Sequence, residues 1–177
     1  MLKNCNIIAI TGIMGVGKTT IGQKLASKLG YYFVDLDQEI EDREGMSINQ
    51  IFSKKSEGYF RELEKSIIKE IITRDEKMVI SLGGGSFVED DIRKILLEKT
   101  VVIFLNASID VILHRIGNKN NRPLLNNVDK RKVLQDLMDQ RYKFYSQAHL
   151  EFESGVVSQD EMVEDIIKKI IDEKNRL

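Results

Sequence analysis

The segment Gly12-Ile13-Met14-Gly15-Val16-Gly17-Lys18-Thr19 has the spacing G-x-x-x-x-G-K-[ST]. Glycines so placed let the chain wrap an anion with its N–H groups turned inward, and a following helix adds positive potential at its N-terminus. Lys18 would then reach the β- and γ-phosphates of a nucleoside triphosphate, and Thr19 would set its hydroxyl on Mg²⁺. Apolar Ile7–Ile10 precedes the glycines and a helical pattern, Lys18–Leu29, follows them, which is the context this chemistry needs. The motif specifies triphosphate binding and leaves the reaction open. Two strings hint at a guanine-nucleotide switch but fit poorly. Asp42-Arg43-Glu44-Gly45 lies in a helical stretch, and Asn118-Lys119-Asn120-Asn121 lacks the carboxylate that reads guanine.

Other residues gain meaning beside this cradle, each with a plainer alternative. Asp35 and Asp37 end the second apolar run as D-x-D, which on a strand turns both carboxylates the same way; equally, Asp37 could cap the helix at Gln38–Glu44. Arg61 and Glu64 are either a surface i,i+3 pair or an arginine held so that its fork meets a substrate carboxylate. Gly83-Gly84-Gly85 follows a third apolar run, as a flexible loop or as backbone cleared for a ligand. Arg122 and Pro123 sit in the polar stretch Gly117–Asn127, the form of a lid that delivers charge to a transferring phosphoryl group. Arg141, alone, reads as a solvated helix charge.

These residues need a frame. Ile7–Ile10, Tyr31–Asp35, Met78–Leu82 and Val101–Leu105 read as buried strands, with a short fifth near Leu150–Phe152. Helical patterns alternate with them: Lys18–Leu29 closed by Gly30, Gln38–Glu44, a stretch opened by a Ser47/Gln50 capping box, Phe60–Ile72, Glu89–Glu98, Ser108–Arg115, Asp129–Tyr145, and a last helix opened by a Ser158/Glu161 box. Such alternation predicts α/β architecture: a three-layer α/β/α sandwich on a five-stranded parallel sheet.

Bulk composition narrows the partners. The 177 residues suit one domain, and 27 basic against 28 acidic residues leave a net charge of −1, without the basic excess of a nucleic-acid binder. One Cys, Cys5, forms no internal disulfide, so nothing calls for an oxidising compartment. His114 and His149 lack ligand spacing and read as structural. The longest apolar runs are too short to span a bilayer. A cytoplasmic monomer without membrane or nucleic-acid partners is expected.

The ordered set closely resembles shikimate kinases: the P-loop, F-x-D-x-D at Phe33–Asp37, F-R-x-x-E at Phe60–Glu64, the triple glycine, R-P-L-L at Arg122–Leu125 and R-x-x-x-Y at Arg141–Tyr145. The resemblance runs from about Ile7 to Ala148. It implies a single P-loop kinase domain over 1–177, similar to nucleoside-monophosphate kinases, with substrate-binding helices at about 37–74 and a mobile lid at about 116–127. It implies ATP and Mg²⁺, with shikimate as acceptor and ADP as product. Gly12, Met14, Gly15, Val16, Gly17, Lys18, Thr19 and Thr20 would hold the nucleotide, Arg115 would lie against adenine, and Arg122 would reach the γ-phosphate. Thr19 and Asp35 would serve the metal, with Ser81 nearby. Asp37 would orient the attacking hydroxyl and is the candidate base. Arg61, Arg141 and the backbone of Gly83, Gly84 and Gly85 would bind shikimate, with Lys18, Asp37 and Arg122 catalytic. This sequence departs from the family where Lys143-Phe144 replaces a usual proline-containing helix start and where His149 replaces an alanine. Another P-loop small-molecule kinase is the nearest alternative, although a neutral acceptor would leave Arg61 and Arg141 without a carboxylate. A nucleotide-dependent binding module is further off, since Lys18, Thr19, Asp35, Asp37 and Arg122 are intact.

Overall fold

The computed structural model describes residues 6–117 and 129–176. The chain runs β1 (Ile7–Thr11), α1 (Lys18–Leu29), β2 (Tyr32–Asp35), α2 (Leu36–Glu44), α3 (Ile48–Lys54), α4 (Glu57–Thr73) and β3 (Met78–Ser81). A one-turn 3-10 helix (Ser86–Val88) follows, then α5 (Asp90–Lys99), β4 (Val101–Asn106), α6 (Ile109–Ile116), α7 (Lys130–Tyr145), β5 (Leu150–Glu153) and α8 (Gln159–Arg176).

The five strands form one parallel sheet in the order β2-β3-β1-β4-β5. Ala9 pairs with Ile80 on one side and Val102 on the other. Every residue of β1 and β3 is buried, as continuous apolar strands require when both sheet faces are covered. From β1 to β2 the chain crosses the sheet one way; the later connections return it the other way. Right-handed crossovers therefore put α1 on one face and the helices between β2 and β5 on the opposite one. α8 packs back on α1, fastened by Lys24–Asp160 and Lys28–Glu164 at 2.8 and 2.7 Å. The predicted three-layer sandwich is what the chain builds.

Local signals set most of the boundaries. Gly30 closes α1 in the left-handed conformation, Ser47 and Gln50 form the expected capping box, and Ser158 and Glu161 exchange theirs at 3.3 and 2.9 Å. Two helices start earlier than expected: α4 at Glu57, capped by Ser56, and α2. α2 starts at Leu36, and Asp35, not Asp37, is its N-cap, accepting from the Gln38 N–H at 3.4 Å. Asp37 stands in the first turn of the helix, so the two carboxylates do not share a strand face.

The topology also selects the place for chemistry. Connections leave the neighbouring strands β1 and β3 in opposite directions, which opens a crevice at their carboxyl ends. The loop Gly12–Gly17 flanks it on one side and Gly83–Gly85 on the other.

Candidate active site

The loop after β1 is shaped by contacts only glycine tolerates. Gly12 has φ +140°, and a Cβ there would lie 2.3 Å from the Leu105 carbonyl oxygen; Gly15 has φ +83°. Gly17 caps α1 without any side-chain bond, so the first N–H groups of a twelve-residue helix face the crevice. The Lys18 ammonium donates to the carbonyls of Gly12 and Ile13 at 2.9 and 3.1 Å, folding over its own loop. Arg115 reaches from α6 to donate to the Val16 carbonyl at 2.7 Å and Ser154 Oγ at 2.8 Å. It thereby ties the loop to the end of β5. Gly15, Gly17, Lys18, Arg115 and Ser154, with Met14, Thr19, Thr20, Ser81 and Gln159, line a cleft of about 420 Å³.

The Thr19 hydroxyl donates to Asp35 Oδ2 at 2.7 Å at the cleft wall. Among the described residues no cluster of three or more His, Cys, Asp or Glu side chains forms a metal cage. A hydroxyl and one carboxylate beside a phosphate cradle fit Mg²⁺ nonetheless. That ion keeps several waters and takes one or two carboxylates plus substrate phosphates.

A second, wider cleft adjoins the first and is lined by Phe52, Phe60, Arg61, Glu64, the three glycines and Arg141. Glu64 is completely buried, and its Oε2 accepts from Arg61 at 2.6 Å while Oε1 accepts from Ser86 Oγ at 2.5 Å. The exposed i,i+3 pair that spacing allowed is therefore a buried anchor. Burial pushes the Glu64 carboxyl above its ordinary value, with the Ser86 bond and the charge of Arg61 opposing it. Burial also works against the Arg61 charge, but Glu64, Glu89 and Glu57 outweigh it and hold the guanidinium firmly protonated. Glu57 and Glu89 are largely solvated and lie farther from it, at 3.4 and 3.8 Å. Among the described residues, Arg61 Nε is buried without a hydrogen-bond partner.

The glycines press against these groups. A Cβ on Gly83 would lie 2.7 Å from Asp37 Oδ1, and one on Gly85 would lie 2.8 Å from Arg61 Nη2. The Gly84 carbonyl accepts from Arg141 Nη1 at 2.9 Å and from the Tyr145 hydroxyl at 2.5 Å. Arg141 is thus half-buried and anchored, not a solvated helix charge. Tyr145 is fully buried, its ring stacked 5.1 Å from Phe104.

The described site residues expected from sequence, from Gly12 to Arg141, gather around two adjoining clefts, and all but Gly12 and Val16, which are buried in the loop, line one or the other. Met14, Thr19, Asp35, Asp37 and Gly84 line both of them. Arg122, Pro123, most of the expected lid and Cys5 lie outside the described residues. Sequence reasoning overlooked two contributors, Ser86 and Phe52, and gave Tyr145 no role beyond ending the R-x-x-x-Y motif. Ser86, directly after the triple glycine, anchors Glu64. Phe52 stacks on Phe60 at 4.8 Å and walls the wider cleft, and only the amphipathic spacing of α3 hinted at it. The Tyr145 hydroxyl reaches Gly84 across 61 residues of sequence, which no local pattern announces.

A parallel sheet in this order, with a cap-free phosphate loop after β1 and a charged cleft after β3, defines a P-loop kinase. A family profile described as shikimate kinase matches residues 14–172. A shikimate kinase of Zymomonas mobilis is 43% identical over 160 residues, 90% of each chain, and one of Novosphingobium aromaticivorans is 40% identical over 84% of this chain and 78% of that one. The structure of shikimate kinase from Acinetobacter baumannii in complex with shikimate superposes with a TM-score of 0.90 at 32% identity, covering 98% and 97% of the two chains. The chain belongs to the shikimate kinase family.

Proposed function

We propose that this protein transfers the γ-phosphoryl group of ATP to the 3-hydroxyl of shikimate, giving shikimate 3-phosphate and ADP. One observation carries the reading: a phosphate cradle and a cleft bearing two anchored arginines meet across a shared wall that contains Asp37. The nucleotide phosphates lie against the Gly12–Gly17 loop and the open start of α1, with Lys18 turning from its own loop carbonyls to the β- and γ-oxygens. Met14 and Thr20 complete that wall, with Val16 buried in the loop beneath, and Arg115, pinned at the mouth, faces the base. Arg61 and Arg141 take the acceptor carboxylate. Gly83–Gly85 bring the acceptor ring close to the backbone, where any Cβ would intrude.

In the transfer, the acceptor hydroxyl oxygen forms a bond to γ-phosphorus as the bond from γ-phosphorus to the bridging oxygen breaks. Asp37 orients that hydroxyl and accepts its proton. Most of the acceleration comes from positioning and from positive charge already in place. Thr19 and Asp35, the latter through water, would hold Mg²⁺, which supplies charge neutralisation to the phosphates when bound. Arg122 would approach the γ-phosphate from a lid at about 116–127, and helices over about 37–74 would form the acceptor side of one kinase domain. Among the described residues no helix is long and apolar enough to cross a membrane; a cytoplasmic monomer fits the reading.

The test is ADP release with ATP and Mg²⁺ over shikimate, quinate, gluconate and nucleoside monophosphates. Stimulation by shikimate well above the others is expected. Equal rates with and without shikimate would sink the assignment.

A further inference from the structure

The two arginines of the acceptor cleft stand on different helices, Arg61 on α4 and Arg141 on α7. The segment Gly83–Glu89 runs between them and touches both. Its Gly84 carbonyl accepts from Arg141, its Gly85 lies under the Arg61 fork, and its Ser86 holds Glu64, the buried partner of Arg61. The seat of this segment therefore sets the spacing of the two guanidinium groups. Its 3-10 turn is too short to be rigid on its own.

A third arginine fixes that seat. Arg93 on α5 is 7% exposed and touches neither cleft. Its Nη1 donates to the Val88 carbonyl at 2.8 Å and the Phe87 carbonyl at 3.4 Å, at the end of the 3-10 turn. Its Nε donates to Gln147 Oε1 at 3.2 Å, and its guanidinium lies 4.9 Å from the centre of the Phe144 ring, both at the end of α7. Asp90 neutralises it from within α5. A cation that merely stabilised α5 would need Asp90 alone. The other four partners lie outside that helix, two on the segment that carries Gly84 and Gly85 and two beside the turn that carries Arg141. Only a planar fork spans them together.

We propose that Arg93 is a positioning residue for acceptor recognition: a buried brace that locks the Gly83–Glu89 segment to α7 and so fixes the distance between Arg61 and Arg141. This rests on the reading of those arginines as the carboxylate site. The phosphate cleft is formed mainly by the Gly12–Gly17 loop, Lys18 and Arg115, and the segment reaches it only through Gly84, so loss of the brace falls mainly on the acceptor.

The experiment is steady-state kinetics with both substrates varied, on wild type, Arg93→Met, Arg93→Lys and Gln147→Leu. Arg93→Met is expected to raise the shikimate KM by ~10- to 100-fold, the scale of an ångström-size misplacement, while the ATP KM stays within about twofold. A purely structural loss would lower the active fraction, and so the apparent kcat, leaving both KM values in place. Arg93→Lys keeps the charge without the fork and is expected to fold yet retain most of the shikimate KM defect. Gln147→Leu cuts one arm at an exposed side chain, folds regardless, and is expected to raise the shikimate KM by about 3- to 10-fold, the worth of one hydrogen bond. An unchanged shikimate KM in Gln147→Leu and in whichever Arg93 variants fold overturns the brace alone. Absence of shikimate-dependent turnover in wild type overturns the acceptor reading and the brace with it.

Discussion

Replacing Arg61 by Ala removes two things that can be measured apart. The first is half of the proposed carboxylate clamp. Loss of one member of a desolvated charge pair costs ~2–5 kcal/mol, so kcat/KM for shikimate should fall by about 30-fold or more. The second is the cation beside Glu64, which is fully buried and, among the described residues, keeps the Ser86 hydroxyl donating to it. A buried carboxylate so abandoned takes up a proton. With an ordinary value of 4.5 for Glu64, neutralisation at pH 7 spans about 2.5 pH units at about 1.36 kcal/mol each, which caps this penalty at about 3.4 kcal/mol. The native carboxyl is already raised by burial, so the measured increment should fall below that cap. Its pH dependence is diagnostic. A carboxyl whose folded-state value lies above the unfolded one binds more protons when folded, so stability is lost as pH rises from 4.5 through the folded value. Urea unfolding of Arg61→Ala at pH 5, 6, 7 and 8 should therefore show a deficit that grows with pH. Adding Glu64→Gln should flatten that slope without restoring the shikimate KM. A deficit independent of pH, or shikimate kinetics like those of wild type, would refute the account of Arg61 as a clamp held by a buried anchor.

Gly85→Ala places a methyl group where Arg61 Nη2 would be 2.8 Å away; the shikimate KM should rise ~10-fold with the ATP KM unchanged, as read by coupled ADP release. Lys18→Met should lower kcat by ~100-fold or more, the scale of losing one charge-stabilising donor, while thermal melts stay close to wild type. His149 is held neutral by burial, which lowers its pKa from 6.5, and its Nδ1 accepts from the Val102 N–H at 2.9 Å. A base depressed in the folded state loses stability as pH falls below its unfolded value, so urea midpoints should decline below pH 6.5. His149→Asn, which keeps an acceptor but does not titrate, should decline less.

The legible parts of this protein are those whose cause is local. The phosphate loop, its flanking strand and helix, and the Ser47 and Ser158 caps each follow from residues a few positions apart. The β1, β3 and β4 strands announced burial on both sides through unbroken apolar runs. Asp35 and Asp37 show where local reasoning ends. Both residues suit a cap, and the choice depended on where β2 stops, which is set by pairing with Ser81 on β3. Arg141 looked like a surface charge, and the Arg61–Glu64 pair like a surface pair, because Gly84 and Ser86 become their neighbours only after the sheet orders its strands. Resemblance to a family supplied those roles; spacing did not.

The wall common to the two clefts has a pharmacological consequence. Met14, Thr19, Asp35, Asp37 and Gly84 line both compartments. A molecule that tethers a polyphosphate to a hydroxylated carboxylic acid can occupy both at once, losing translational freedom once instead of twice. With a linker matched to the span, the second half binds at an effective concentration in the millimolar range, so two weak fragments gain affinity from connection alone. On the proposed reading such a ligand would also draw selectivity from Arg61 and Arg141, which line the wider cleft and not the phosphate cleft.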